Sequence, residues 1–330
     1  MNLHHHSEAF RELVELAANH FGYEQSHVEK DYWICKILKE LAFSKYSKNV
    51  YFKGGTSLSK SYKLINRFSE DLDLFVFSGN RTSSKQSEKT LTRSVSHFIV
   101  ENNSEMYVEE LSKIGGDFRK LAFSYEAHYE SSGLKENLEV ELKCSTLEDK
   151  SAMYYPVQRL PIQPIVAEYL QAKENKEIIS RFEIDVFDMQ TIDPKRTLCD
   201  KISRLTRLSF NDDYEMLIAK HIRDVYDIHC LLNKPEYVDF IQSDEFLNAM
   251  LQVTNEDGLR TRQKSISEAI IFAKPEQTLK LPYIIRAYNS ELKQLMFEAS
   301  LLPSLSEVIQ NISLIQKSLL RFQLHQSCPF

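Results

Sequence analysis

The chain of 330 residues has 42% hydrophobic residues, which is typical of a globular protein. Its formal net charge of −6 argues against non-specific binding of long nucleic acid over the whole surface. It contains no run of about 18 apolar residues and no apolar stretch near its start, which argues against a membrane span and a secretory signal. Five scattered cysteines without a C-x-x-C pair predict neither a disulfide framework nor a zinc site, so a reducing cytoplasm is the expected compartment.

The first part of the sequence predicts alternating helices and short strands. Helices are predicted where apolar residues recur about every 3.6 positions, at 10–21, 27–43, 57–65, a segment ending near 102 after a polar loop from 78, and 165–172. Strands are predicted where apolar residues alternate or form short buried runs, at 49–53, 72–77, 121–129, 138–144 and 181–187. Three prolines between 156 and 164 are expected to interrupt regular structure.

From Asp193 onward the pattern is almost wholly helical. Asp193-Pro194 predicts a helix start, with an N-cap residue followed by proline at the first helical position, and helical character continues to residue 322. We therefore predict an α+β fold. Residues 1–190 are expected to form a lobe with a mixed β-sheet flanked by helices, and residues 191–330 a helical lobe.

Two aspartates on one predicted strand are the first indication of chemistry. Asp71 and Asp73 are two residues apart, so both project from one face while Leu72 points into the core. Like charges side by side are unfavourable unless a cation neutralises them. Because Mg²⁺ favours one or two carboxylates together with phosphate oxygens, the pair predicts a metal site for phosphoryl or nucleotidyl transfer.

A phosphate site is predicted just upstream, where a strand ends in Gly54-Gly55 and a helix begins. Glycines let backbone amides approach a phosphate, and a helix N-terminus favours anions. Thr56 and Ser57 add hydroxyl donors, and residues 52–67 contain four basic residues and no acidic one. A D-x-D or a G-G pair alone is more often a solvated edge or a turn, but the combination favours a catalytic site.

The chain resembles the nucleotidyltransferases of the DNA polymerase β superfamily and, more closely, the AbiEii/AbiGii toxin family of type IV toxin–antitoxin and abortive-infection systems. The resemblance spans residues 28–232 and rests on E-K-D-Y-W at 29–33, F-K-G-G-T-S-L-S-K at 52–60, R-F-S-E-D-L-D at 67–73 and R-D-V-Y-D at 223–227. It implies an enzyme that uses Mg²⁺, or Mn²⁺, to move a nucleoside monophosphate from an NTP to an acceptor and release pyrophosphate. It also implies tRNA as the acceptor, a growth-inhibiting role and an antitoxin partner.

The resemblance implies a third carboxylate on a later strand, joining Asp71 and Asp73 at the metal. Glu141 is the first choice, because it lies in the alternating segment 138–144. Glu139 shares its face and stays open as the alternative. The family often has a lysine where Glu139 stands, so this sequence departs from the family pattern at that position. A merely solvated strand face would also explain the pattern.

In the helical lobe, Lys201 aligns with a family lysine that would neutralise a nucleotide phosphate. Asp224 is expected to orient Lys201 or the nucleotide, and Arg223 to contact the nucleotide. From the residues alone, a surface lysine and salt bridges at i,i+4 spacing within the helix explain these positions equally well. Lys30 and Asp31 are assigned to structural support of the site. The remaining nucleotide-binding predictions are Gly54, Gly55, Thr56, Ser57, Lys60 and Ser69.

Two other functions stay compatible with the sequence. One is the same chemistry on a small molecule or a protein, which a closed acidic pocket would favour over RNA. The other is an inactive module that binds a nucleotide or a partner. The intact Asp71 and Asp73 argue against this function. His221 and His229 flank the late motif on a predicted helix, where core or surface roles are more common than metal binding, and the sequence contains no P-loop motif.

Overall fold

The computed structural model describes residues 2–80, 83–130, 133–144, 156–256 and 266–327. Residues 81–82 of the predicted polar loop lie outside the described residues, and so do residues 257–265 of the predicted helical region. The chain divides into two compact units. The first takes the described residues of 1–148 and 157–192, and the second takes Pro156 and the described residues from 193 onward.

The first unit combines helices with a β-sheet. Its helices are α1 (Ser7–Phe21), α2 (Gln25–Ala42), α3 (Gly54–Lys60), α4 (Lys85–Asn102), α5 (Ile165–Ala172) and α6 (Lys176–Arg181). Its strands are β1 (Val50–Lys53), β2 (Asp71–Val76), β3 (Lys113–Ile114), β4 (Phe118–Phe123), β5 (Leu138–Cys144), β6 (Val157–Ile162) and β7 (Phe187–Ile192).

The strands form one mixed sheet in the order β3-β4-β5-β2-β1-β7-β6. Strand β2 pairs in parallel with β5 and antiparallel with β1, which in turn pairs in parallel with β7. The remaining neighbours are antiparallel. Helix α2 packs against β5 and β7, and α4 against β2, β4 and β5. This arrangement confirms the predicted α+β class with a mixed sheet flanked by helices.

Burial along the central strands follows the alternation of the sequence. In β2, Leu72 and Leu74 are buried, whereas Asp71 and Asp73 are partly exposed. Strand β5 alternates in the same way over its whole length, from buried Leu138 onward. Because side chains on a strand point to opposite faces in turn, one face of each strand builds the core and the other carries the charged residues.

The chain between α5 and β7 differs from the sequence prediction. A strand at 181–187 was expected, but that prediction is wrong, because helix α6 runs to Arg181 and β7 begins at Phe187. The side chain of Asn175 accepts the backbone N–H of Ile178 and caps α6. Glu183 then adopts a φ of 51°, which breaks extended structure before β7.

Three further differences concern boundaries and prolines. The helix expected at 57–65 begins at Gly54 and ends at Lys60, where the chain turns and Lys63 adopts a positive φ of 52°. The strand expected at 121–129 lies at Phe118–Phe123. Strand β6 contains Pro161 although prolines were expected to interrupt this segment. Proline is tolerated there because β6 ends the sheet order and needs hydrogen bonds on one side only.

The second unit is helical in its described residues. Its helices are α7 (Pro194–Leu208), α8 (Tyr214–Lys220), α9 (Ile222–Leu232), α10 (Pro235–Ile241), α11 (Asp244–Glu256), α12 (Ile270–Ala273), α13 (Pro275–Leu279), α14 (Pro282–Arg286), α15 (Lys293–Leu295) and α16 (Leu305–Ser327), with a π-helical segment at Ala287–Leu292. Helix α7 starts as predicted, with the Asp193 carboxylate accepting the N–H of Lys195 at 2.9 Å. Within the described parts of the chain, no helix has the length and apolarity needed to cross a membrane.

Candidate active site

The sheet places four carboxylates side by side on β2 and β5. The parallel register sets Asp71 opposite Glu139 and Asp73 opposite Glu141. All four side chains are partly exposed and alternate with buried residues of their strands. Residues in register on neighbouring strands project from the same face, so the acidic positions of the two strands form one group. The predicted common face of the two aspartates is therefore present, with one glutamate beside each of them.

The turn from β1 into α3 approaches Asp73 very closely. Gly54 has a φ of 79°, in the left-handed region that favours glycine. A Cβ atom built on Gly54 would lie 2.0 Å from Oδ2 of Asp73, far inside a van der Waals contact. Antiparallel pairing sets Lys53 opposite Asp73 and explains this proximity. The first glycine of the pair is therefore required by the carboxylate, and not only by the turn.

The predicted hydroxyl donors fasten this turn to the start of β2. Oγ1 of Thr56 donates a hydrogen bond to Oγ of Ser69 at 3.0 Å and also contacts the main-chain oxygen of Asp71. Oγ of Ser57 donates to the main-chain oxygen of Gly54 at 2.9 Å. Thr56, Ser57 and Ser69 are all buried. Their hydrogen bonds hold the glycine turn and the aspartate strand in one fixed arrangement.

Two of the four basic residues in segment 52–67 are buried. Lys60 is buried and its ammonium pairs with Asp31, and its contact with a nucleotide stays a prediction. Burial alone lowers the pKa of Lys60, but the Asp31 carboxylate outweighs it and raises the pKa above its ordinary value. Arg67 is only 2% exposed, and Lys63 forms a salt bridge with an acidic residue of α5. Because a buried charge requires a partner, the contacts of Lys60 and Arg67 stabilise this segment, whereas the side chain of Lys63 is 63% exposed.

Three consecutive charged residues of α2 are buried, and each fastens a different segment of the unit. Glu29 accepts backbone N–H groups that follow β4, and Asp31 accepts the first N–H of α5 at 2.7 Å. Nζ of Lys30 lies 3.2 Å from Oε2 of Glu70 and 2.6 Å from the main-chain oxygen of Lys135. This arrangement agrees with the supporting role inferred for Lys30 and Asp31.

Two lysines that the sequence analysis missed neutralise part of the acidic group. Nζ of Lys135 lies 2.6 Å from Oδ1 of Asp71 and also contacts Glu139. Nζ of Lys120, on β4, lies 2.6 Å from the other oxygen of Glu139. Burial lowers the pKa of Lys135, but Asp71 and Glu139 outweigh this effect and raise it above its ordinary value. No sequence pattern predicts these pairs, because they depend on strand register and on the loop before β5.

The donor chemistry of the acidic group fits a hard divalent cation. Asp71, Asp73 and Glu141 provide carboxylate oxygens, the ligands that Mg²⁺ prefers, on two adjacent strands. In the described part of the chain, no three His, Cys, Asp or Glu side chains already have the geometry of a metal site. Ammonium groups already neutralise part of the charge of two of the four carboxylates, Asp71 and Glu139.

In the second unit, helices α7 and α9 bring Lys201 together with two aspartates. Its Nζ lies 2.6 Å from Oδ1 of Asp224 and 2.9 Å from Oδ2 of Asp227. Nη1 of Arg204 lies 3.2 Å from the second oxygen of Asp224. The expected neighbours Lys201 and Asp224 are thus in contact, whereas Asp227 and Arg204 were not predicted as partners. Arg223 lies on the same helix as the aspartates and is partly exposed.

The charges of this second cluster are fixed by burial. The side chains of Lys201, Asp224 and Asp227 are 7%, 5% and 0% exposed. Burial alone raises the pKa of Asp224, but Arg204 and Lys201 outweigh it and hold the pKa well below its ordinary value. Asp224 therefore stays ionised at neutral pH and holds the Lys201 ammonium in one position.

Comparison with known proteins identifies a family and several solved structures of similar fold. The family model for the nucleotidyl transferase AbiEii toxin of type IV toxin–antitoxin systems matches residues 36–311. MenT4, a nucleotidyltransferase toxin of Mycobacterium tuberculosis H37Rv, is similar in fold over 94% of this chain and 92% of its own, with a TM-score of 0.50 and 12% identity. A protein of H. pylori provisionally described as a nucleotidyltransferase covers 93% of this chain and 99% of its own, with a TM-score of 0.43 and 16% identity. No curated protein matches the sequence significantly.

Proposed function

Because the chain belongs to the AbiEii family of nucleotidyltransferase toxins, we propose that it transfers a nucleoside monophosphate from an NTP to tRNA in a magnesium-dependent reaction. Nucleotidyl transfer and a toxin–antitoxin context come with the family. An NTP substrate and an antitoxin partner come with them. The cation, the tRNA acceptor and action in the cytoplasm are our inferences. Mn²⁺ has the same preference for oxygen ligands and is the expected substitute for Mg²⁺.

The observation that carries the proposal is the acidic group on β2 and β5. Asp73 lies in register with Glu141, and the backbone of Gly54 approaches the same aspartate so closely that no side chain fits. A merely solvated strand edge does not need a glycine pressed against its carboxylate. The combination supports a site in which a phosphate group can reach both a backbone turn and a set of metal-binding carboxylates.

Each residue of the group receives a role from its surroundings. Asp71, Asp73 and Glu141 would hold the cation, and a bound divalent ion would neutralise charge on the transferring phosphoryl group. Glu139 is the weaker candidate, because Lys120 and Lys135 already engage both of its oxygens. A carboxylate balanced by two ammonium groups has less affinity left for a metal ion. We therefore take Glu141, which lies beside Asp73, as the third carboxylate.

The residues around the glycine turn would place the nucleotide. Gly54 and Gly55 supply the backbone amides, and the buried Thr56, Ser57 and Ser69 keep the turn rigid, so these hydroxyls support the site rather than contact the phosphate. A rigid turn needs no reorganisation when charge develops, which is the main source of electrostatic catalysis.

Lys201, Asp224 and Arg223 keep in this proposal the roles that the family resemblance implies. Lys201 would neutralise phosphate charge, Asp224 would hold its ammonium, and Arg223 would contact the nucleotide. The contacts of Lys201 with Asp224 and Asp227 support the orienting role of these aspartates. Because its ammonium is fixed on two carboxylates, Lys201 is preorganised rather than mobile.

The proposal is tested by incubating the purified protein with each labelled NTP in turn, magnesium and total cellular RNA. We expect label in a tRNA-sized band for one or more NTPs, and no label with Asp71→Ala, Asp73→Ala protein or with EDTA. NTP binding without transfer to RNA would overturn the tRNA acceptor and direct the search to small molecules or proteins. Transfer that persists in the double variant would overturn the assignment of the site.

A further inference from the structure

The main chain of Lys135 is held by a buried ion pair. Oε2 of Glu70 accepts the N–H of Lys135 at 2.7 Å, and Nζ of Lys30 donates to its main-chain oxygen at 2.6 Å. Lys30 and Glu70 also pair with each other at 3.2 Å, with side chains that are 0% and 4% exposed. Burying two charges is costly unless the geometry is well satisfied. Here the backbone N–H and carbonyl oxygen of Lys135 provide the additional hydrogen bonds that the pair needs.

This brace places the ammonium of one lysine within the acidic group. Nζ of Lys135 contacts Asp71 at 2.6 Å and also reaches Glu139, so one positive charge bridges the two strands. The side chain itself is 38% exposed, in contrast to the buried pair that holds its backbone. A fixed main chain with a solvent-accessible side chain lets the ammonium leave Asp71 without disturbing the fold.

We propose that Lys135 is a built-in counter-ion of the acidic group that competes with a divalent cation for Asp71. The inference rests on the proposed function, since it concerns the same carboxylates. With its ammonium 2.6 Å from Oδ1 of Asp71, Lys135 occupies space beside that oxygen, and its positive charge repels a metal ion placed there. Lys135 therefore weakens metal binding at Asp71 and holds Glu139 as a partner of its own ammonium.

Lys120 provides a matched control within the same group of charges. It also carries one positive charge and pairs with Glu139 at 2.6 Å, but its main chain is part of β4, where it lies opposite Glu141 rather than beside Asp71. Lys120→Met and Lys135→Met change the net charge of the region equally. Only Lys135→Met removes the ammonium that engages Asp71.

The experiment is a titration of the full-length protein with Mn²⁺ alone, following free Mn²⁺ by electron paramagnetic resonance. Lys135→Met is expected to tighten Mn²⁺ binding roughly tenfold, Lys120→Met by no more than about twofold, and Lys135→Arg to bind like wild type. Asp71→Asn, Asp73→Asn protein establishes which part of the signal belongs to these carboxylates. Thermal unfolding of each variant shows that the comparison is made between folded proteins.

Each outcome bears on one of the two ideas. Equal tightening by both lysine variants, or unchanged or weaker binding by Lys135→Met, would overturn the competition with Lys135 while leaving the metal site intact. Mn²⁺ binding that survives the double aspartate variant would instead overturn the metal site of the proposed function. Absence of Mn²⁺ binding in wild type together with its appearance in Lys135→Met would support the competition, whereas its absence in both would overturn it.

Discussion

Each unit contains a cluster of lysine and aspartate side chains, and the two clusters have the same kind of ion pair but differ in their exposure to solvent. On β2 and β5, Lys135 and Asp71 meet with side chains that are 38% and 25% exposed. On α7 and α9, Lys201 and Asp227 meet with side chains that are 7% and 0% exposed. In both cases an ammonium is within 3 Å of a carboxylate. The difference between them is access to solvent.

That difference determines how easily each charge can exchange its partner. A partly exposed ion pair is screened by water and contributes little to stability, so its carboxylate is available to another cation. A buried pair whose partner is removed leaves an uncompensated charge, so its members stay together. We infer that the strand cluster is built for exchange of ligands and that the helical cluster is built to hold one lysine in position.

The largest expected effect is the loss of transfer activity in Asp73→Asn. Removing one of the proposed metal carboxylates is expected to lower the rate of NMP transfer by on the order of 10³-fold, since charge stabilisation in the transition state is lost. Because Asp73 is partly exposed, the melting temperature should change little. The measurement is label incorporation under single-turnover conditions beside a thermal melt.

Asp188→Asn is the control for this prediction. Asp188 is also a strand aspartate of the first unit, with a side chain that is 55% exposed and an ion pair to Arg159. Its removal should leave transfer unchanged. Comparable losses in the two variants would show that Asp73 has no special role, and the contrast between an exchangeable cluster and an ordinary surface pair would fail.

A second prediction separates the close approach of Gly54 to Asp73 from the strain of a left-handed residue. Gly54→Ala is expected to destabilise the protein by about 3 kcal/mol, because it combines a positive φ with a collision against the carboxylate. Gly22→Ala has nearly the same φ, 73°, with nothing within 4 Å of the new Cβ, and should cost about 1 kcal/mol. Urea unfolding measures both, and equal losses would contradict the close approach.

A third prediction compares the two glutamates of β5. Glu141→Gln is expected to reduce transfer by about 10²-fold and Glu139→Gln by less than about fivefold, since only Glu141 is proposed to bind the metal. The two residues belong to the same strand and lie opposite Asp73 and Asp71. Label incorporation at saturating NTP decides between them. A reversed order would make Glu139 the third carboxylate and Lys135 a lysine that moves away from both of its partners.

The sequence predicted the strands and motifs of the site better than the side-chain contacts between them. The alternation of β5 and the D-x-D spacing of β2 are local patterns, so the strands and their exposed faces could be read from single segments. The late R-D-x-x-D motif likewise located Asp224. The contacts of Lys135 and Lys120 could not be predicted, because each joins residues whose proximity depends on strand order and loop path.

Burial of charged residues was the other feature that the sequence did not reveal. Lys60 and Arg67 lie in a segment with four basic residues and no acidic one, and composition alone indicated a local positive field. In the structure each is buried and has a polar partner, Asp31 for Lys60 and a main-chain oxygen for Arg67. A lysine has the same local pattern whether its carboxylate partner is 29 residues away in the interior or absent, so only the tertiary contact decides.

The smallest effect is a pH-dependent contribution of Asp224 to stability. Its pKa is depressed in the folded protein by Arg204 and Lys201. A carboxylate with a depressed folded pKa stabilises the protein above its unfolded pKa of about 3.9, and this contribution is lost as the pH falls further. Asp224→Asn should therefore cost about 2 kcal/mol at pH 7, and the difference from wild type should stay constant down to about pH 5 and shrink below about pH 4. Urea unfolding from pH 7 to pH 3 measures this difference in stability, and Asp188→Asn is the exposed control that should show almost no difference at any pH.

A difference that stays constant below pH 4 would mean that Asp224 acts through packing alone. The helical cluster would then not hold Lys201 through an ionised carboxylate, and this distinction from the strand cluster would fail.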